Sequence, residues 1–279
     1  MYQLDKEDIA KFGTYLYNQE RSRATIQKYL RTVECFYEWL PGDKLFNKEI
    51  VIRYKSYLSS HHAPGGVNVI LAAVNGFLRF MGWQDCAVKS VHIQRRVFSA
   101  PEAELNKEEY QALVKAAEEK QDNRLSLILQ FMASTGIRVS EIKYLTVEAL
   151  ERNRIQIHLK GKIRTILLPG KLCQKIRKYQ HQQHIKTGPI FLNCHGKPLD
   201  RRTIWAQMKR LCESANVSKA KVFPHNLRHL FARSFYSVQK DIAKLADVLG
   251  HSSIETTRIY LLSSGQEHQK ILDSLHLAL

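Results

Sequence analysis

Acidic residues are scarce in this 279-residue chain, which carries 26 Asp and Glu against 43 Lys and Arg and has a formal net charge of +17. A surplus of this size favours a polyanionic partner such as nucleic acid. The carboxylates do not cluster as two-metal nucleases require, and the G-x-x-x-x-G-K-[ST] loop of many nucleotide-binding proteins is absent. We therefore expect neither a metal ion nor another cofactor.

Cysteines and long apolar runs are also scarce. The chain has 5 cysteines, an odd number with no C-x-x-C pair, which fits a reducing compartment better than a disulfide framework. The N-terminus lacks a basic stretch followed by an apolar one, and no apolar run approaches the ~20 residues that span a bilayer. These absences predict a cytoplasmic protein that does not associate with membranes.

Helical periodicity dominates the N-terminal third of the chain. Apolar residues recur at helical spacing over residues 24–40, and further helices are predicted at about 6–19, 47–59 and 66–81. The periodicity then fades, and the stretch before Pro101 is basic and polar. We predict a four-helix N-terminal domain over residues 1–88 and a linker over residues 89–104.

A second domain is predicted over residues 105–279. It opens with Asn106 and Glu109, which have the spacing of a capping box at a helix start. Residues 154–159 and 164–168 form a strand pair around a tight turn, residues 190–192 resemble a short strand, and helices fill the remainder. The hydrophobic content of 44% is ample for a core in each domain. The predicted fold class is mainly α with a small β-sheet.

The second domain concentrates side chains that bind and attack phosphate. They stand in the motifs S-T-G-I-R, L-K-G-K-I-R-T, P-H-N-L-R-H, L-G-H and T-T-R-I-Y, and they are Arg138, Lys160, His225, Arg228, His251 and Tyr260. Such a set suits metal-free phosphoryl transfer, because cations offset the charge that develops on the phosphate while a hydroxyl attacks it. A tyrosine hydroxyl needs help to lose its proton at neutral pH, and His225 is the candidate base.

In order and spacing this set resembles the tyrosine recombinase family. The family's first arginine, hairpin lysine, H-x-x-R pair, final histidine and nucleophile fall respectively on Arg138, Lys160, His225 with Arg228, His251 and Tyr260. The chain looks Xer-like, or like a small mobile-element integrase without an arm-binding domain. The resemblance implies a C-shaped clamp on double-stranded DNA, made of a SAM-like core-binding domain and a mixed α/β catalytic domain.

The resemblance also implies the reaction. Tyr260 attacks a phosphodiester and gives a 3′-phosphotyrosyl link, and two rounds of strand exchange through a Holliday junction recombine two specific sites. A homo-tetramer on synapsed DNA is implied, with a monomer or weak oligomer free in solution and possible use of an accessory protein. The gene would be bacterial, or encoded by a phage or another mobile element. Integration, excision, inversion and dimer resolution all stay open.

Several residues keep alternative interpretations. Arg138 could be a surface arginine paired with Glu141. Lys162 competes with Lys160 to protonate the leaving oxygen. His225 and His229, one helical turn apart, could be zinc ligands, although a zinc protease would need a glutamate where Asn226 stands. His229 is otherwise structural.

Tyr260 is predicted to lie on a short helix that starts with a capping box of Ser252 and Glu255. At 100° per residue, Ile254 and Leu261 share the buried stripe of this helix, and Tyr260 lies about 120° away from that stripe. The sequence thus predicts that Tyr260 is not a core residue and that its hydroxyl enters a site between the domains. A plain surface tyrosine is the alternative.

Further cations are predicted to contact the DNA backbone, and they are Arg95, Arg96, Lys162, Arg164, Arg201 and Arg202. A tail helix is predicted from about residue 266, after a capping box of Ser264 and Glu267. It would pack on its own domain or, as in related recombinases, on the neighbouring protomer. Two other functions stay open, a type IB topoisomerase and a non-catalytic DNA-binding protein.

Overall fold

The computed structural model describes residues 1–93, 104–159, 162–261 and 273–274. The chain divides into two compact units, Met1–Arg95 and Arg96–Leu279. Each unit has its own core of buried apolar side chains. The division falls inside the segment predicted to be a linker.

Helices make up most of the first unit, and they are α1 (Lys6–Asn18), α2 (Arg23–Trp39), α3 (Lys48–His61) and α4 (Pro64–Phe80). These are the predicted helices, with small shifts at their ends. A short antiparallel pair, β1 (Tyr2–Gln3) with β2 (Leu45–Phe46), was not predicted. Strands of two residues are too short to show an alternating pattern.

The amphipathic helix α2 illustrates why these segments fold locally. Ser22 caps it by accepting a hydrogen bond from the backbone N–H of Thr25. Its apolar face buries Val33 and Phe36 in the first core. It ends just before Pro41, which cannot continue a helix.

Helices also dominate the second unit, and they are α5 (Lys107–Glu119), α6 (Asn123–Thr135), α7 (Val147–Glu151), α8 (Gly170–Gln182), α9 (Arg201–Leu211), α10 (Pro224–Gln239), α11 (Ile242–Leu249) and α12 (Ile254–Arg258). Two 3₁₀ segments matter for the site, Val139–Tyr144 and Ile259–Leu261. Strands β3 (Arg154–Leu159) and β4 (Lys162–Leu167) pair antiparallel. None of the helices within the described residues combines the length and apolar character needed to cross a membrane.

The capping box at α5 is confirmed. Asn106 Oδ1 accepts from the backbone N–H of Glu109 at 2.7 Å, and Glu109 Oε2 accepts from the N–H of Asn106 at 3.0 Å. The strand predicted over residues 190–192 is wrong, because only isolated bridges form there, between Thr146 and Pro189 and between Leu192 and Pro198. Both bridges involve a proline, which has no N–H to extend a ladder.

The predicted N-cap of α12 is wrong by one residue. Ser253, not Ser252, caps the helix and accepts from the backbone N–H of Glu255 at 3.2 Å. The predicted tail helix and its capping box at Ser264 and Glu267 lie outside the described residues, apart from positions 273 and 274.

Helix α6 runs through the middle of the second core and has more contact with α10 than with other helices of the unit. Most of its own side chains are buried in this core, including Leu125, Ile128, Phe131 and Met132. Its C-terminal end is thereby held against α10, which carries His225 and Arg228.

Candidate active site

Two helices end in left-handed glycines beside the cluster of predicted site residues. Gly136 closes α6 with φ of 61°, and Gly250 closes α11 with φ of 65°. A Cβ atom on Gly136 would overlap the ring of Phe231, and one on Gly250 would overlap the side chain of Arg164. Only glycine fits at these two positions, where both the backbone angle and the close packing exclude a side chain.

Arg228 lies between the ends of these helices. Its side chain is fully buried, at 1% exposure. Nη1 donates to the carbonyl oxygen of Gly136, and Nη2 donates to the carbonyl oxygen of Leu249 at 2.7 Å. A cation at the C-terminal ends of two helices is favoured by both dipoles. The predicted phosphate-binding arginine is thus also a packing element that ties α6, α10 and α11 together.

Glu141 is a buried carboxylate that holds two arginines. Its Oε1 accepts from Nη1 of Arg138 at 2.9 Å, and its Oε2 accepts from Nη1 of Arg164 at 2.9 Å. Oε2 also accepts from the backbone N–H of Arg138 at 3.0 Å, which caps the 3₁₀ segment Val139–Tyr144. The ion pair between Arg138 and Glu141 therefore forms. It is not an isolated surface pair, because Glu141 is buried and also binds Arg164. The side chain of Arg138 itself remains 40% exposed.

Arg164 is largely buried, whereas the predicted contact with the DNA backbone would need an exposed side chain. Its side chain is only 11% exposed. Besides Glu141, it donates from Nη2 to the carbonyl oxygen of Val248 at 3.0 Å and packs against Gly250. Burial lowers the pKa of Arg164 to about 10, and the negative charge of Glu141 opposes that shift. The residue braces the site from inside, so its assignment to the DNA backbone does not fit its position.

His251 follows Gly250 directly and is held at both ring nitrogens. Nε2 lies 2.8 Å from Nη2 of Arg228, and Nδ1 lies 2.9 Å from Oγ1 of Thr257. Burial, together with the positive charges of Arg228, Arg138 and Arg164, lowers the pKa of His251 to about 4. His251 is therefore a neutral imidazole near pH 7.

Tyr260 meets His225 at the surface of α10. Its hydroxyl lies 3.2 Å from Nε2 of His225. Its ring packs among three imidazoles, with centroid distances of 5.4 Å to His225, 4.4 Å to His229 and 5.4 Å to His251. Its hydroxyl also stabilises the charged form of Arg228. The tyrosine oxygen thus lies among the groups expected to act on it.

The expectation that Tyr260 is not a core residue is wrong. Its side chain is 5% exposed and packs in a small cluster with Leu245 and Leu249, while Ile254, expected to be buried, is 49% exposed. The helical wheel failed because it took Ile254 as a marker of the buried side of α12. The buried side instead carries Thr257, which is 0% exposed and stands one turn before Tyr260.

His225 is suited to accept a proton. The surrounding side chains desolvate it and lower its pKa, and the charges of Arg228 and Arg138 lower it further. Its imidazole is therefore neutral near pH 7, with one ring nitrogen free of a proton. The distance to the hydroxyl of Tyr260 is that of a hydrogen bond between a general base and its target.

His229 lies against the ring of Tyr260, with 4.4 Å between the ring centroids. Its Nδ1 is buried with no hydrogen-bond partner among the described residues, and burial lowers its pKa to about 4. Over the part of the chain that the structure describes, no three His, Cys, Asp or Glu side chains group as metal ligands. His229 contributes a ring contact to Tyr260, as a structural residue would.

A cavity of about 570 Å³ adjoins the part of this cluster formed by the two arginines and His225. Arg138, His225 and Arg228 line it together with Arg201 and Arg202, two exposed arginines at the start of α9. Its apolar wall includes Trp205, an indole that is 48% exposed. A cavity of this volume has room for a phosphodiester, and four arginines line it.

Some predicted residues cannot be placed in this cluster. Lys160, Arg95 and Arg96 lie outside the described residues, and Lys162 is described only as the first residue of β4. The residues brought together are Arg138, His225, Arg228, His251 and Tyr260.

Sequence reasoning missed three members of the site. Glu141 stood out only as an ion-pair partner, although its spacing from Arg138 was visible. Trp205 follows Arg201 by one helical turn and so shares its face, a signal that was available. Thr257 had no signal, because nothing in the sequence separates it from the adjacent Thr256.

Comparison with known proteins gives a consistent result. Residues 103–267 match the sequence profile of the phage integrase family. The tyrosine recombinase XerA of Thermococcus kodakarensis is 29% identical over 285 residues, which cover 96% of this chain and 97% of that protein.

Two solved structures share the fold. The XerH recombinase bound to difH substrate, in a pre-cleavage complex, has a TM-score of 0.69 at 20% identity and covers 96% of this chain and 84% of that one. A lambda integrase tetramer bound to a Holliday junction has a TM-score of 0.73 at 16% identity and covers 91% of this chain and 76% of that one.

Proposed function

This chain belongs to the phage integrase family, and from that premise we propose which of its residues carry out the strand transfer of a tyrosine recombinase. The protein is a DNA strand-transferring enzyme for site-specific recombination. A topoisomerase or a purely DNA-binding role is not favoured. What needs assignment is the chemistry of each side chain.

Tyr260 is the nucleophile and His225 its base. The observation that carries this assignment is the 3.2 Å contact between the tyrosine hydroxyl and Nε2 of a neutral His225. The hydroxyl gives its proton to His225 as its oxygen bonds to phosphorus, and the bond from phosphorus to the 5′ oxygen breaks. The product is a 3′-phosphotyrosyl link, which conserves the bond energy, so that rejoining needs no ATP.

Arg138 and Arg228 bind the two non-bridging oxygens of that phosphate. Arg138 has a partly exposed side chain whose Nη1 is anchored by Oε1 of Glu141. Arg228 keeps a buried Nε with no hydrogen-bond partner among the described residues, a donor that a phosphate oxygen can use. Fixed cations of this kind act most strongly on the charge that develops in the transition state.

The departing 5′ oxygen needs a proton, which we assign to Lys160. This residue lies between β3 and β4, where it precedes the first residue of β4 by two positions. Lys162 is the competing donor. A general acid at this point also serves rejoining, because the same group then takes the proton back from the attacking 5′ hydroxyl.

The DNA partner is a duplex with a specific site, and Arg201 and Arg202 are proposed backbone contacts beside the cavity. Arg95 and Arg96 are further proposed contacts, and the two units are proposed to close around the duplex as a clamp. Because a lambda integrase tetramer is known bound to a Holliday junction, we propose a tetramer here too, with the C-terminal tail docked on the neighbouring protomer. We propose a bacterial, phage or other mobile-element origin and action in the cytoplasm.

The nucleophile is tested with a nicked suicide duplex taken from the DNA that flanks the gene. Wild-type protein should form a covalent adduct that survives denaturation, and Tyr260→Phe should bind the duplex but form none. Tyr236→Phe is the matched control, because Tyr236 packs on the same small cluster and should leave adduct formation unchanged. An adduct with Tyr260→Phe, or its loss in Tyr236→Phe, would contradict the assignment.

A further inference from the structure

The hydrogen bonds of His251 define which of its nitrogens carries the proton. Arginine has only donors, so Nε2 must accept from Nη2 of Arg228 and cannot carry a proton itself. The lowered pKa of the ring makes it neutral near pH 7, and its proton is therefore on Nδ1. Nδ1 then donates to Oγ1 of Thr257. In the protein without DNA, His251 is an Nδ1–H tautomer.

This tautomer is unsuited to a phosphate. Phosphate oxygens in a diester accept hydrogen bonds, and so does Nε2 in the state just described. The same contact also occupies Arg228, because Nη2 uses both of its protons on Leu249 and His251. For His251 to donate to a phosphate, its proton must be on Nε2, and the contact with Nη2 of Arg228 must then be given up because two donors cannot share it.

A hydroxyl group can hydrogen-bond to Nδ1 in both tautomers, since it has one donor and two acceptor sites. Thr257 supplies it: the side chain is fully buried at 0% exposure and stands on α12, three residues before Tyr260. We propose that Thr257 is a positioning residue that lets His251 exchange tautomers when DNA binds, by accepting from Nδ1–H in the free protein and donating to Nδ1 in the complex.

The exchange balances and stays neutral. The proton leaves Nδ1 and an equivalent proton arrives on Nε2 through solvent, so the ring has the same charge in both states. Nε2–H then donates to a phosphate oxygen, and Arg228 turns the freed proton of Nη2 and its unpartnered Nε–H toward the same phosphate. This inference rests on the proposed function, because it assumes that a phosphate enters the cavity.

The free state is tested by ¹⁵N NMR of histidine-labelled full-length protein, with the His251 signals identified by their absence from His251→Gln. We expect the shifts of a neutral ring protonated on Nδ1. A ring protonated on Nε2 would overturn the proposal. This measurement needs no substrate, so it stands even if the wild-type protein forms no DNA adduct and the proposed function fails.

The exchange is tested by suicide-duplex cleavage with Thr257→Val, which keeps the shape and removes the hydroxyl. We expect cleavage to slow by about tenfold or more, because Nδ1 loses its only described partner. Thr257→Ser should restore the rate to within about threefold of wild type. Thr256→Val is the matched control on the exposed side of α12 and should leave the rate unchanged.

Each contrary result is decisive. Wild-type cleavage by Thr257→Val would show that the hydroxyl is not needed. Equal slowing of Thr257→Ser and Thr257→Val would mean that the methyl group, not the hydroxyl, matters. If Thr257→Val does not fold, as judged by its thermal midpoint, the serine variant and the NMR of the free protein still decide the question.

Discussion

Nη1 of Arg164 lies 2.9 Å from Oε2 of Glu141, a carboxylate whose side chain is only 3% exposed. Through this pair, β4 supports the segment that carries Arg138. The same guanidinium reaches the end of α11 at Val248, one turn from His251. Arg164 thus connects the anchor of one phosphate-binding arginine to the backbone that carries the final histidine.

Arg164→Gln should therefore weaken the fold rather than DNA binding. We expect a loss of about 3 kcal/mol in the free energy of unfolding, the lower end for breaking a buried ion pair, because Arg138 still partners Glu141. Urea unfolding measures this loss. The salt dependence of binding to a mixed-sequence duplex should not change.

Arg202→Gln provides the contrast, because Arg202 is exposed at the cavity. It should change the free energy of unfolding by less than about 0.5 kcal/mol. The slope of log K against log salt should become less negative by about 0.9, the value of one phosphate contact. If Arg164→Gln changes that slope by as much, its guanidinium reaches DNA and the bracing role is wrong.

Substitutions of Arg138 and Arg228 should distinguish an effect on catalysis from an effect on stability. Arg138→Ala should slow adduct formation by about 10² to 10³-fold, which corresponds to roughly 3 to 4 kcal/mol of transition-state stabilisation, with little change in thermal midpoint. Arg228→Ala should slow cleavage as much but also lower the midpoint, because the carbonyl oxygens of Gly136 and Leu249 lose their buried donor. Equal midpoints for the two variants would contradict the packing role of Arg228.

Residue type and order were sufficient to predict a set of side chains that the fold brings together, apart from Lys160, which lies outside the described residues. Arg138, His225 and His251 each stand in a short motif whose adjacent residues make it recognisable. The glycine at position 250 also predicted a helix end, which the structure confirms. Most helices were equally predictable, because caps such as Asn106 with Glu109 are local in sequence.

What could not be predicted depends on distant segments. Arg164 stands 23 residues from Glu141 and 84 from Val248, so its burial is a tertiary property that a basic motif cannot reveal. The error at Tyr260 has the same origin, because Ile254 was taken as buried and is 49% exposed, while the buried side of α12 carries Thr257. Residue types alone do not show which side of so short a helix packs against the core.

Gly136→Ala tests the close packing at the end of α6. Alanine adopts a positive φ at a cost of about 1 to 2 kcal/mol, and here its Cβ would also overlap Phe231 and displace the carbonyl that holds Arg228. We expect a larger loss of stability than that cost, together with slower adduct formation. Gly188→Ala is the control, because Gly188 has φ of 76° and open space around a Cβ. Equal losses in urea unfolding would show that backbone strain alone matters.

The folded protein should become less stable in mild acid because burial keeps the imidazole of His229 neutral. Its pKa is about 4 in the folded protein against an ordinary value of 6.5, so between these values the unfolded chain binds more protons than the folded one. The stabilisation is complete above pH 6.5 and is lost as the pH falls toward 4. His251 has the same direction of shift and adds to the loss. Thermal midpoints measured across this window should therefore decrease with decreasing pH.

The contribution of His229 is isolated by His229→Gln, which should flatten the pH dependence of the midpoint whatever its effect on the midpoint itself. His181→Gln, at an exposed position of α8, should leave the dependence as steep as in the wild type. An unchanged slope in His229→Gln would mean that this imidazole is not kept neutral by burial.

The choice between Lys160 and Lys162 can be made chemically, because a sulfur atom in place of the bridging 5′ oxygen leaves without needing a proton. Lys160→Ala should cleave an ordinary suicide duplex slowly and a 5′-bridging phosphorothiolate duplex at close to the wild-type rate. An arginine that only contacts phosphate gives a useful control, so Arg138→Ala should stay slow on both substrates. Lys162→Ala, at the start of β4, should cleave both duplexes at similar rates and only weaken binding as salt rises. Rescue of Lys162→Ala by the phosphorothiolate, with none for Lys160→Ala, would move the general acid to Lys162. Rescue of Arg138→Ala as well would show that sulfur accelerates every slow variant, in which case proton donation could not be assigned to either lysine.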